Sequence, residues 1–168
     1  TTVYLPLVIS PKNPVINLLP NGDFEQGDNG AWFTETTTYG GDVITQEPLA
    51  HSGLWVAQLL DHRKISTWIR QEIDVVPTDS NLAFYYALSS EWEDCDTSPQ
   101  SLEIVVNNQT VDKLILCQSN NTNGWQIHTI DLAAYGNHPI DLNIIAYNGT
   151  EGDYSVLLLD DVGFTPIH

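Results

Sequence analysis

Apolar and polar residues alternate with a period of two along much of the chain. Between Trp68 and Val75, the residues Ile69, Gln71, Ile73 and Val75 fall on one face and Trp68, Arg70, Glu72 and Asp74 on the other. Such a segment is a strand with one face toward a core and one toward solvent. The same alternation sets Leu82, Phe84, Tyr86 and Leu88 against Ala83, Tyr85 and Ala87, and Leu102, Ile104 and Val106 against Glu103 and Val105. Turn-forming clusters separate the apolar runs, at Pro77 to Asn81, Asn107 to Gln109, Asn120 to Gly124, Gly136 to Pro139 and Asn148 to Asp153. About ten short strands result, the spacing of an all-β antiparallel β-sandwich. Leu132 to Tyr135 has a helical pattern but is too short to bury a face.

The start of the chain reads differently. Thr1 to Pro14 carries three prolines among apolar residues, as a linker or an edge strand would, and its composition favours the linker. Residues 1–16 are therefore expected to be a linker or edge segment and residues 17–168 a single module. The composition agrees, since 42% apolar and 16% charged residues in a chain of 168 suit one globular domain. The charge excludes one class of partner: 22 acidic against 5 basic residues give a net charge of −17, a field that repels phosphate backbones, so no nucleic acid is expected. The longest apolar run, Val3 to Ile9, is broken by Pro6 and falls far short of the roughly 20 residues that span a bilayer, so no membrane insertion is expected. A chain that opens on Thr1 and lacks Met is expected to be a mature or excised segment, part of a larger multidomain protein.

Several catalytic templates are missing from the sequence, including the Gly-x-Ser-x-Gly elbow, His-Glu-x-x-His and a glycine-rich phosphate loop. The histidines at 51, 62, 128, 138 and 168 are scattered without metal-ligand spacing. Two constellations stand out instead. Asn17 to Gly27, followed by Trp32, combines a glycine turn, an aromatic and carboxylates at alternate positions. At Leu158 to Phe164, the adjacent acids Asp160 and Asp161 interrupt an apolar strand. A buried carboxylate needs a partner, and where Lys and Arg are so scarce a metal ion is the expected one.

These residues resemble the galactose-binding-like jelly-roll modules, among them the carbohydrate-binding modules of families four, nine and twenty-two and the related MAM-like adhesion domains. The resemblance rests on Asn21-Gly22-Asp23-Phe24-Glu25-Gln26-Gly27, the Ser52-Gly53 turn, Ile69 to Ile73 through Pro77, Leu82 to Tyr86, and Leu159-Asp160-Asp161-Val162. It spans Asn17 to Phe164 through the order of the motifs rather than any single one. It implies a jelly roll of eight to eleven strands with a structural calcium ion joining the first strand to the last. Carried over residue by residue, the side chains of Glu25 and Asp160 would be ligands, with carbonyls from Asp23 and from His51 or Ser52. Asp23 stands where many relatives have Gly, which leaves open whether it offers its carbonyl or its carboxylate. Oxygen donors suit calcium; the alternative is that these are solvated strand-end acids.

Strand parity marks a further surface. If Ile69, Ile73 and Val75 face the core, Trp68, Arg70 and Glu72 face outward, and the same rule turns Tyr85, Asn143 and Tyr147 away from their apolar neighbours. Aromatic faces accept pyranose C–H groups while amides and charged groups meet hydroxyls, so Trp68, Tyr85 and Tyr147 are candidate platforms and Arg70, Glu72 and Asn143 candidate hydrogen-bonders. Trp92, in the acidic loop Glu91-Trp92-Glu93-Asp94-Cys95-Asp96, is a candidate to close one end; that loop is equally readable as a second calcium site or a solvated turn. Cys95 and Cys117 sit at the two ends of a hairpin, Ser101 to Val106 and Val111 to Leu116, within bridging reach. A disulfide there would stabilise the fold by about 3 kcal/mol. Asn-x-Ser/Thr sequons start at Asn108, Asn120 and Asn148.

The expectation is a secreted or cell-surface, non-catalytic, monomeric module that binds a polysaccharide or glycan. The alternative is an adhesion or accessory domain that binds another protein, and a glycosidase or lyase is the lesser option.

Overall fold

The computed structural model describes residues 16–37, 41–61, 66–149 and 155–166. The segment read as a linker lies outside these residues except for Ile16. In chain order the strands are β1 (Asn17–Leu18), β2 (Phe33–Thr36), β3 (Ile44–Gln46), β4 (Trp55–Leu60), β5 (Ser66–Ile73), β6 (Ser80–Ser90), β7 (Ser101–Val106), β8 (Gln109–Ile115), β9 (Gln126–Asp131), β10 (Ile140–Tyr147) and β11 (Ser155–Pro166). Among the described residues, helical structure is confined to single 3₁₀ turns at Gln118–Asn120 and Ala133–Tyr135.

The strands form two antiparallel sheets. The larger runs β3-β4-β11-β6-β9, with β1 added on β11, and the smaller runs β2-β5-β10-β7-β8. Their facing apolar sides, including Leu59, Leu82, Phe84, Leu157 and Leu159 from one sheet and Ile69, Ile104, Leu142 and Ile144 from the other, make one core. This is the jelly-roll β-sandwich. β5 and β10 show the alternation plainly: Ile69 and Ile73 are buried and Trp68, Arg70 and Glu72 are not, while Leu142, Ile144 and Ala146 are buried and Asn143, Ile145 and Tyr147 are not.

Parity fails just past the end of β5. Val75, expected in the core, is 57% exposed, and Val76 is fully buried in its place. The strand stops at Ile73, the chain bends at Asp74, and Val76 pairs with the Gly136–His138 turn through its own N–H and carbonyl. A bend that adds one residue exchanges the faces of everything after it.

The glycine motif at the start of the module is stitched directly to β11. Leu19 N–H donates to the Val162 carbonyl at 2.9 Å, and Val162 N–H donates back to the Gly22 carbonyl at 2.8 Å. Gly22 is required sterically, because a Cβ there would lie 2.1 Å from the Val162 carbonyl oxygen. Beneath this stitch, the buried Trp32 packs against Phe24 with ring centroids 5.8 Å apart, and its indole N–H donates to the Asn21 carbonyl at 3.0 Å.

Candidate functional site

β11 carries a bulge between Asp160 and Gly163, and Asp161 adopts φ 52° within it. A bulge places two consecutive side chains where a regular strand offers one. Asp160 turns inward and is fully buried. Its carboxylate accepts from Ser52 N–H at 2.9 Å and from Asp161 N–H at 2.8 Å. Burial, reinforced by the neighbouring Asp161 charge and opposed by backbone N–H donors, pushes its carboxyl up to about 7. The less buried Asp161 carboxylate accepts from Ser52 Oγ at 2.9 Å and meets His51 Nδ1 at 2.6 Å. One ligand atom each from His51, Asp160 and Asp161 lies within 4.8 Å of the others.

Glu25 grips the same loop from the opposite side. One of its carboxylate oxygens, Oε1, accepts from both Leu54 N–H and Trp55 N–H at 2.7 Å. Gly53 lies against this carboxylate with φ 56°, and a Cβ there would sit 2.1 Å from Glu25 Cδ. Asp23 forms a local turn with the Glu25 N–H at 3.4 Å. The four residues assigned to calcium from sequence therefore fall into two groups: Ser52 and Asp160 meet directly, whereas Asp23 and Glu25 flank the loop. Sequence reasoning left the Asp161 carboxylate and the His51 imidazole out of the ligand set, naming His51 only as an alternative to Ser52 for a carbonyl. Ser52 presents its N–H, not its carbonyl, to Asp160.

The residues assigned to ligand binding also divide. On the outer face of the smaller sheet, register places Asn143 opposite Arg70, Ile145 opposite Trp68 and Tyr147 opposite Ser66. Trp68, Arg70, Glu72, Asn143 and Tyr147 thus share one surface. Arg70 Nε donates to Asp141 at 2.6 Å and its Nη2 to Glu72 at 3.0 Å. Phe33 on β2 joins this face opposite Arg70 and is 55% exposed. Sequence reasoning missed it, because the four residues of β2 are too few to show a period. Gly30, Ala31, Phe33 and residues 70–72 border a shallow cleft of about 320 Å³.

Tyr85 is elsewhere, on the outer face of the larger sheet, and only 8% exposed. His51 stacks on its ring and Trp125 closes edge-on at 5.9 Å from His51, so the 47–54 loop covers it. Burial, then the Asp161 charge, pushes its phenol up. Trp92 is half-buried beside the disulfide, with its carbonyl accepting from Gln118 N–H at 2.7 Å. Cys95 and Cys117 are joined, with Cα atoms 5.2 Å apart.

No family model matches the sequence, and a search of curated proteins finds no relative. Solved structures do share the architecture. TmCBM61, determined in complex with beta-1,4-galactotriose, superposes with a TM-score of 0.59 at 15% identity, covering 89% of this chain and 98% of that one. The K2 cleaved adhesin domain of Lys-gingipain gives 0.53 at 16% identity over 85% and 96% of the two chains. The K3 domain of the same protein from Porphyromonas gingivalis w83 gives 0.53 at 17% identity over 89% and 97%. The chain has the galactose-binding-like jelly-roll fold. At this identity the likeness is one of fold.

Proposed function

We propose that this module binds carbohydrate on the outer face of its smaller sheet and holds a calcium ion at the Asp160–Asp161 bulge. The observation that carries the first part is the convergence of Trp68, Arg70, Glu72, Asn143 and Tyr147 on one solvent-facing surface, which alternates aromatic rings with hydrogen-bonding groups. TmCBM61, bound to a galactotriose on the same fold, supports the reading by analogy. A binding role is preferred to catalysis because Glu72 and Asp141 are both ion-paired with the Arg70 guanidinium.

For the ion, the donor set fits. Asp160 is a fully buried carboxyl whose hydrogen bonds come from backbone N–H groups, and Asp161 adds a second carboxylate beside it. These two would supply the hard oxygen ligands, with Ser52, Asp23 and Glu25 shaping the loop around them. A bound ion would neutralise the buried charge and fasten the 51–55 loop to β11. The disulfide supports a secreted or cell-surface location, since such bonds persist in oxidising compartments. A monomer embedded in a larger protein remains the proposed context.

The adhesion alternative draws support from Leu49 and Leu54, which are 76% and 58% exposed on the 47–54 loop. Isothermal titration with soluble β-1,4-galactan, xylan and glucan separates the two. Carbohydrate binding predicts a glycan whose affinity falls by roughly 1–3 kcal/mol in Trp68→Ala, the scale of burying an aromatic. If no such glycan binds in the presence of calcium, the sheet face is not a sugar site and the leucine loop is the surface to pursue.

A further inference from the structure

We infer that Phe33, Trp68 and Tyr147 form a single diagonal track that seats an extended, uncharged polysaccharide chain across β2, β5 and β10; this rests on the carbohydrate-binding reading above. The track follows from register. Phe33 lies opposite Arg70, Trp68 lies two residues along β5 from Arg70, and Tyr147 lies opposite Ser66, two residues further along. Each aromatic is thus displaced by one strand and two residues from the last, in the same sense. Diagonal neighbours of this kind are about 7–8 Å apart, so the three rings span about 15 Å in a straight line. That length is more than a single sugar ring can cover. The rings are not caged, since Phe33 and Tyr147 are 55% and 39% exposed.

What lies between the rings defines the ligand's chemistry. Arg70 and Asn143 occupy one row beside Phe33, and Glu35, Ile145 and Glu103 share a row with Trp68. Arg70 and Lys113 are the basic residues among those described, and each is paired: Arg70 with Asp141 and Glu72, Lys113 with Glu103 at 2.7 Å. Among the described residues, a polyuronate or sulfated chain would find no unpaired Lys or Arg on this face, and it would meet the field of a protein with net charge −17. A neutral chain meets no such penalty and offers hydroxyls to Arg70, Glu72 and Asn143.

The edge at Phe33 is also shaped. Gln71 Nε2 donates to the Pro20 carbonyl at 3.0 Å and the Ala31 carbonyl at 2.9 Å, which fixes the wall of the cleft bordering Gly30, Phe33 and Glu72. Gly30 has φ 82° and open space where a Cβ would lie, so that wall is low. The track therefore continues past Phe33 into the cleft instead of ending against it.

The test is isothermal titration of the whole module, with calcium present, against β-1,4-linked galactan, xylan and glucan oligosaccharides from one to six units and against polygalacturonate. The expected result is an affinity that climbs with chain length for a neutral series and no measurable binding of polygalacturonate. Phe33→Ala should lower affinity for the longest oligosaccharide about tenfold and leave the shortest detectable ligand almost unaffected, with Phe33→Tyr restoring it. An unchanged melting temperature in Phe33→Ala would show that the loss is not one of folding. If Trp68→Ala weakens binding and Phe33→Ala does not, the track is overturned and the carbohydrate-binding face survives. Equal affinity for one and six units, or tight binding of polygalacturonate, overturns the ligand class. Failure of every neutral probe overturns the carbohydrate-binding reading itself.

Discussion

The imidazole of His51 lies almost flat on the ring of Tyr85, with centroids 3.6 Å apart and planes 15° from parallel. Tyr85 points outward from its strand, as alternation requires, yet it is unavailable to a ligand. Its covering is supplied by a loop more than thirty positions earlier in the chain, which no local pattern can reveal.

Tyr85 should therefore matter to stability and not to sugar binding. Tyr85→Ala should cost about 3 kcal/mol, the usual scale for truncating a buried aromatic, in urea unfolding. Trp68→Ala should unfold at nearly the wild-type midpoint while losing glycan affinity. If Tyr85→Ala abolishes binding without changing the midpoint, the stacked arrangement does not describe the protein in solution.

Asp160 predicts a pH dependence in protein stripped of divalent ions. Its folded-state value of about 7 lies above the ordinary 3.8, so between those limits the folded protein holds a proton that the unfolded chain releases. Its contribution is fully present below about pH 4 and is lost as pH rises toward and through 7. Wild type in EDTA should therefore lose stability relative to Asp160→Asn over that range, and calcium should reverse the loss. A wild-type-minus-variant difference that stays flat from pH 4 to 8 would falsify the buried-carboxyl assignment.

Reduction of Cys95–Cys117, which are separated by 22 residues, should lower unfolding free energy by about 3 kcal/mol. Peptide mapping of non-reduced protein should recover the two cysteines linked. Because the bridge anchors the 91–96 loop and not the sheet face, glycan affinity should change little on reduction.

Gly22→Ala should be among the most damaging conservative substitutions in the chain. The new methyl would collide with backbone, 2.1 Å from the Val162 oxygen and 3.0 Å from the Leu19 oxygen, so the stitch to β11 must open. We expect a loss of several kcal/mol or failure to accumulate as folded protein, read by circular dichroism and yield. Gly41→Ala, which meets nothing within 4 Å, is the matched control.

In a glycosylating host, Asn108 is the sequon expected to be modified. It sits exposed in the β7–β8 turn with φ 65°. Asn148 is 6% exposed, and its side-chain Oδ1 accepts from Ser155 N–H. Intact mass of Asn108→Gln should lose the glycan increment; retention of the full increment would place it on Asn120 or Asn148.

The sandwich was legible because β5, β7 and β10 alternate over six to eight residues, and each buries one face and wets the other. Where a strand is short the signal vanishes, and where it is covered on both sides alternation marks the strand without showing which outward side chains are free. Phe33 belongs to a four-residue edge strand, and β6 from Leu82 to Tyr85 is buried on both faces. The buried Asp160 was legible for a different reason: a carboxylate inside an apolar run is costly wherever it lands. The role of His51 was not, since its partner Asp161 is 110 residues away and is turned toward it only by a bulge.

The position of β11 has a consequence for how the molecule comes into being. This strand of 12 residues follows β1 to β10 in sequence, yet it lies in the interior of the larger sheet, pairing with β4 on one side and β6 on the other. During synthesis β4 and β6 are made before β11 and must wait with unsatisfied edges until it emerges. Contacts of such long sequence separation form slowly and expose apolar surface in the interim. Folding of the module is thus tied to the arrival of β11: without Ser155 to Pro166 the larger sheet lacks its middle and both bulge carboxylates, and such a fragment is open to any protease that meets it.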